Sequence, residues 1–101
     1  MDISFHWHNL EQSDAIEDYA RKKVEKLSEH FNKMMSAVVR LRVEKIDHIA
    51  ELAIHADGEQ FIASDREHDM YAAIDLAEAK LEKQIRRHKE KVLDRKHRPR
   101  S

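Results

Sequence analysis

Lys80, Lys83, Arg86, Arg87, Lys89 and Lys91 recur at helical spacing near the end of a 101-residue chain, and Arg95, Lys96, Arg98 and Arg100 follow them. Residues 80–101 hold ten Lys/Arg against three Asp/Glu, net +7, whereas residues 1–79 hold nine against seventeen, net −8. The total of −1 conceals this separation. Such asymmetry points to a polyanionic partner that meets one end of the molecule, nucleic acid being the commonest. The bland alternative is that bases late in a helix complement its dipole and that mixed charge aids solubility. Two or three lysines would fit that account. Ten bases in this short segment, including Arg86-Arg87 and Arg98-Pro99-Arg100, fit phosphate binding better.

Other constellations are weaker. His6-x-His8 sets two imidazoles on one strand face, and with His55 they could hold a divalent metal, but no carboxylate or thiol has matched spacing. With eight histidines scattered along the chain, chance explains the pair better, and neither metal nor cofactor is expected. The run Ser64-Asp65-Arg66-Glu67-His68-Asp69 mixes acid, base and hydroxyl as a hydrolase would, yet it sits just before a helix, where Ser and Asp cap free N–H groups. Met70 and Tyr71 with Ala72-Ala73 could suggest a ligand pocket; small residues that let a helix lie close to a sheet account for them more simply. No cysteine is present, so disulfides, thiolate metal sites and Cys nucleophiles are excluded. Without a long apolar run or a signal-type N-terminus, the expected compartment is the cytoplasm, with no membrane partner.

The elements that must position these residues follow from periodicity. Leu, Ile, Val and Phe total 23, enough for one small core. Ile3, Phe5 and Trp7 alternate with Ser4, His6 and His8, the pattern of a half-buried strand over 2–8. Ser13 reads as an N-cap for a helix over 14–31, with Ile16, Ala20, Val24, Leu27 and Phe31 on its apolar face. Val39, Leu41 and Val43, then Ala50, Leu52, Ile54 and Ala56, mark two further strands. Asp57-Gly58 is the preferred chemistry for a two-residue type I′ turn into a fourth strand over 59–64, with Phe61 and Ala63 inward. Met70, Ala73, Ile74, Ala77, Leu81, Ile85 and Val92 give a second helix one apolar stripe. The order β-α-β-β-β-α predicts an α+β domain over 1–93, a four-stranded sheet with both helices on one face, followed by a mobile basic tail over 94–101. The first two strands, joined through a helix, are expected to pair in parallel.

At about 100° per residue, Lys80, Lys83, Arg86, Arg87 and Lys91 gather on one flank of the second helix, with Asp75, Glu78 and Glu82 toward the other. On the first helix, Lys22, Lys23 and Lys26 share a flank, and Asp18, Glu25 and Glu29 lie mostly beyond them. Basic flanks that faced each other across the helix pair would line one phosphate-binding surface, and the acidic flanks would be free of partners.

Three segments then resemble a known family. Val43-Glu44-Lys45, Asp69-Met70-Tyr71-Ala72-Ala73-Ile74-Asp75 and Gln84-Ile85-Arg86-Arg87-His88-Lys89-Glu90-Lys91, in that order and spacing, resemble the ribosome hibernation-promoting factor and ribosome-associated inhibitor family, over nearly the whole chain. The resemblance implies a fold similar to a double-stranded RNA-binding domain. It implies a non-enzymatic factor that binds the small ribosomal subunit and its rRNA at the decoding region, blocks mRNA and the A-site and P-site tRNAs, and inhibits translation in idle cells. The implied partners are the small subunit, the 70S ribosome and, alongside a modulation factor, ribosome dimers. Its rRNA-facing positions match Lys22, Lys26, Arg42, Lys45, Lys83, Arg86, Arg87, Lys89 and Lys91 here. With neither an acidic C-terminal extension nor a second domain, the chain is similar to the short form of the family. Two readings of other classes stand beside it: a small metal-dependent hydrolase using His6, His8 and acids near Asp65, and a generic interaction module presenting Val38, Ile49 and Ile62 on an exposed sheet face.

Overall fold

A computed structural model describes residues 2–97. β1 (Asp2–His8) leads into α1 (Asp14–Ser28), followed by β2 (Met34–Glu44), β3 (Asp47–Ala56), β4 (Glu59–Glu67) and α2 (Met70–His97). The sheet order is β1-β2-β3-β4, with β1 parallel to β2 and the other pairs antiparallel. Parallel pairing is what a helical crossover between β1 and β2 requires, because a tight turn can only reverse the chain. The α+β architecture and the order of elements are as the sequence predicts.

Local chemistry explains the boundaries. The Ser13 hydroxyl accepts the N–H of Ile16 at 3.3 Å and caps α1, and Asp69 does the same for α2 through the N–H of Ala72, also at 3.3 Å. Asp57 and Gly58 carry φ of 52° and 76°, both positive as a type I′ turn demands. Four boundaries move. β4 continues to Glu67 rather than ending at 64, so Ser64 and Asp65 belong to the strand and only Asp69 of the 64–69 run caps α2. α1 ends at Ser28 rather than 31, closing on tight turns in which His30 N–H reaches Leu27 O and Phe31 N–H reaches Ser28 O, so Phe31 leaves the helix yet still packs on the core. β2 and β3 meet in a two-residue turn, Lys45-Ile46, where the expected strands leave a longer gap. α2 runs to His97, through half of the segment read as a tail; no proline or glycine interrupts it until Pro99, whose ring disfavours helix at the residue before it. Residues 98–101 of that expected tail lie outside the described residues.

Both helices cover one face of the sheet. Leu41, Leu52, Ile54, Ile74, Leu81 and Ile85 are sealed between the layers, each worth about 1.5–3 kcal/mol of transfer free energy. Ile3, Phe5, Trp7, Ile16 and Phe31, expected in the core, pack at its margin and are only partly buried. Ala50, Ala63, Ala73 and Ala77, all buried, keep α2 close to β3 and β4. The other sheet face carries no helix. Its four-strand rows are Asp2-Ser36-His55-Gln60, Ser4-Val38-Ala53-Ile62, His6-Arg40-Glu51-Ser64 and His8-Arg42-Ile49-Arg66.

Candidate nucleic-acid interface

The nine sequence-expected contacts do not share one surface. Lys22 and Lys26 stand exposed on α1. Lys83, Arg87 and Lys91 are exposed on the α2 flank that overhangs β4, the side fixed by Lys80 and Gln84 reaching Ser64 O and Ile62 O at 3.3 and 2.8 Å. Arg86 points outward from the crest of α2 and pairs with Glu82 at 2.7 Å. Lys89 sits on the α1 side, its ammonium 5.7 Å from the ring centre of Phe31. Arg42, half-buried, is on the helix-free sheet face, paired with Glu44 at 3.0 Å. Lys45 is exposed at the tip of the β2–β3 turn.

The basic flanks of the two helices do not face each other. Lys23 approaches Asp75 to 3.4 Å, and the Tyr19 hydroxyl donates to the same carboxylate at 2.5 Å, with Tyr19 and Tyr71 packed edge to face at 5.0 Å. It is therefore the acidic flank of α2 that meets α1. Charge decides the pairing: juxtaposed lysine flanks would repel, whereas Lys23 against Asp75 and Glu78 attracts. Burial pulls the Lys23 ammonium down, but Glu78 and Asp75 outweigh it and hold its pKa above the ordinary value. Hydrogen bonding to Asp75, helped by burial, raises the Tyr19 phenol. The acidic flank, read from sequence as free of partners, is thus engaged; Asp75, Glu78 and Glu82 are half-buried. Amphipathic spacing locates a flank but not the neighbour that covers it.

What remains is an outer ridge. Lys80, Lys83, Arg87 and Lys91 follow the β4 side of α2 over about 16 Å, at about 1.5 Å of rise per residue. Among the described residues, Lys22, Lys26, Lys45, Lys83 and Arg87 make no ion pair, so they are available to phosphates without first breaking a bond. Lys80 differs. Its ammonium lies 3.0 Å from Asp65 and, with the N–H of Arg66, holds that carboxyl below its ordinary pKa.

The helix-free face offers cations that the family-matched positions omit. Arg40 pairs with Glu51 at 3.5 Å and Arg66 with Asp47 at 3.2 Å, so with Arg42 each guanidinium there already has a carboxylate. The alternation of each strand placed them together once the register was known; register itself is not written in a single strand. Val38, Ile49 and Ile62 do lie on this face, but Ile49 is 4% exposed and only Ile62 is well exposed. Neither set is assembled: His55, of the metal reading, is two rows from His6 on a different strand, and Asp65, of the hydrolase reading, is turned to the face opposite His6 and His8 and tied to Lys80. No group of three or more His, Cys, Asp or Glu that could hold a metal occurs among the described residues.

Residues 3–93 match the family model described as Sigma 54 modulation protein / S30EA ribosomal protein. The chain is 38% identical to a ribosome hibernation promoting factor of Azotobacter vinelandii, covering 94% of this chain and 89% of that protein, and 37% identical to one of Salmonella typhimurium, covering 91% and 97%. Among solved structures, the N-terminal domain of Thermus thermophilus Protein Y superposes with a TM-score of 0.79 at 32% identity, covering 87% of this chain and 99% of that one. A ribosomal subunit interface protein of Coxiella burnetii, at 22% identity over 88% and 98%, shares the fold with a TM-score of 0.78. With the element order and a match spanning nearly all of the chain, this protein belongs to the Sigma 54 modulation protein / S30EA ribosomal protein family.

Proposed function

We propose that this protein is a ribosome hibernation factor that works by occupancy. It docks on the small ribosomal subunit through rRNA phosphates at the decoding region, excludes mRNA and the A-site and P-site tRNAs, and holds translation down in idle cells. The observation that carries this reading is the identity to hibernation promoting factors over nearly their whole length. Its physical support is the α2 ridge, where Lys83 and Arg87 make no ion pair among the described residues and supply affinity without reading sequence. The proposal involves no catalytic step, and Asp65 lies on the sheet face opposite His6 and His8, paired with Lys80. Action is in the cytoplasm, where ribosomes are; no helix among the described residues is long and apolar enough to cross a membrane. The nine positions Lys22, Lys26, Arg42, Lys45, Lys83, Arg86, Arg87, Lys89 and Lys91 are proposed contacts. Those on the ridge and at the hairpin tip bind first, and Arg42 contributes only if Glu44 releases it. Pelleting through a sucrose cushion with purified small subunits tests the reading: the protein should co-sediment, and translation in a purified system should fall in proportion to the bound fraction. Binding without inhibition would leave a ribosome-associated protein with another task.

A further inference from the structure

The two edges of the sheet are finished differently. On β4, the carbonyls of Ile62 and Ser64 accept hydrogen bonds from Gln84 and Lys80, so α2 covers that edge. β1, the other edge, reads Asp2-Ile3-Ser4-Phe5-His6-Trp7-His8, with no Lys, Pro or Gly, and it pairs with β2 without a register shift. Among the described residues, no side chain bonds to its outer backbone groups. Soluble proteins ordinarily blunt such an edge with a lysine, a proline or a bulge. The side chains of β1 are also self-complementary. When two copies run antiparallel about a two-fold axis at Phe5, Asp2 stands opposite His8, Ile3 opposite Trp7 and Ser4 opposite His6. Every polar residue then meets a polar one, the only carboxylate meets an imidazole, and the half-buried aromatic ring of Trp7 gains an apolar neighbour. A shift of one pair in one direction sets His6 against His6, and in the other leaves Trp7 and His8 unpaired.

We propose that a second copy of this chain occupies the β1 edge in this register, continuing the sheet to eight strands. The α2 of each copy packs on β3 and β4, so the two basic ridges stand at opposite ends of the joined sheet. Sedimentation velocity of the purified protein from micromolar to millimolar should show a monomer–dimer equilibrium. Replacing Ser4 and His6 together by lysine places like charges opposite each other twice, and should return the protein to monomer. Both side chains are exposed, and circular dichroism should show the fold retained. The chain has no cysteine of its own, so register can be read by oxidation. Ser4→Cys mixed with His6→Cys should give a disulfide-linked pair, because opposite Cα atoms in an antiparallel ladder lie about 4.5–5.5 Å apart, within disulfide reach. Ser4→Cys alone should cross-link far less. A protein monomeric at every concentration, a dimer unaffected by the lysine pair, or equal cross-linking by Ser4→Cys alone would each overturn the proposal.

Discussion

Lys45 occupies the left-handed backbone region, with φ of 57°. Of the three non-glycine residues with positive φ, Asn9 and Asp57 are types that tolerate it, and lysine is not. A lysine against local turn chemistry at the tip of a hairpin is what the proposed contact at Lys45 would lead one to expect. Lys45→Asn should therefore stabilise the fold by about 0.5–1 kcal/mol, read as a higher urea midpoint, while weakening association with small subunits. The larger test reverses Lys83, Arg86, Arg87 and Lys91 to Glu, which should abolish co-sedimentation. Each is exposed, so the fold should lose less than about 0.5 kcal/mol per substitution, and circular dichroism checks this. The matching control must avoid Asp75, Glu78 and Glu82, which touch α1 or the crest; reversal of the exposed Asp18, Glu25 and Glu29 to Lys should leave both fold and binding intact.

Among the elements, the β3–β4 turn carries a sharp expectation. A Cβ built on Gly58 meets nothing within 4 Å, so Gly58→Ala is penalised by its φ of 76° alone, about 1–2 kcal/mol in thermal or urea melts. The Lys80–Asp65 link between α2 and β4 gives a pH signature. The Asp65 carboxyl titrates below its ordinary value in the folded protein, so its contribution is present above the ordinary carboxylate range and disappears as pH falls through the lower folded value. Asp65→Asn should cost less than about 1 kcal/mol at neutral pH, because the lysine side is well exposed, and the gap to wild type should close on acidification. These elements were legible to different depths. Ser13, the Asp57-Gly58 turn and the alternation of β1 announce themselves because each is satisfied within a few residues. The Lys45-Ile46 turn gave no signal, since neither residue type favours it. The partner of Asp75 was hidden for another reason: Tyr19 and Lys23 are distant in sequence, and only helix docking brings them to it.

For the molecule as a whole, charge is separated along an elongated body, with principal extents of 56 × 25 × 16 Å. Binding dominated by phosphate neutralisation should weaken steeply with salt. For about 6–10 contacts, affinity should drop about a thousandfold or more between about 50 and 200 mM, by the rule derived for duplex DNA. Titration of labelled protein against small subunits at several ionic strengths measures the slope, and a flat response would assign affinity to base or protein contacts instead. That the basic residues concentrate in residues 80–101 was readable from charge counts. That they divide into an outer ridge, an engaged crest and a paired sheet face was not, because sequence gives the sign of a charge but not its partner.

The covering of β4 by Lys80 and Gln84 also has a meaning in time. During synthesis, β4 is complete before the first residue of α2 has been made. At about 5–20 residues per second, the 28 residues of that helix take on the order of a few seconds to add. Until that helix is complete and docked, the carbonyls of Ile62 and Ser64 have only water as a donor, and the apolar layer lacks Ile74, Leu81 and Ile85. The sheet matures only when its last-made element arrives. Chains cut short within α2 should therefore reach the cell as aggregation-prone fragments rather than as weaker binders.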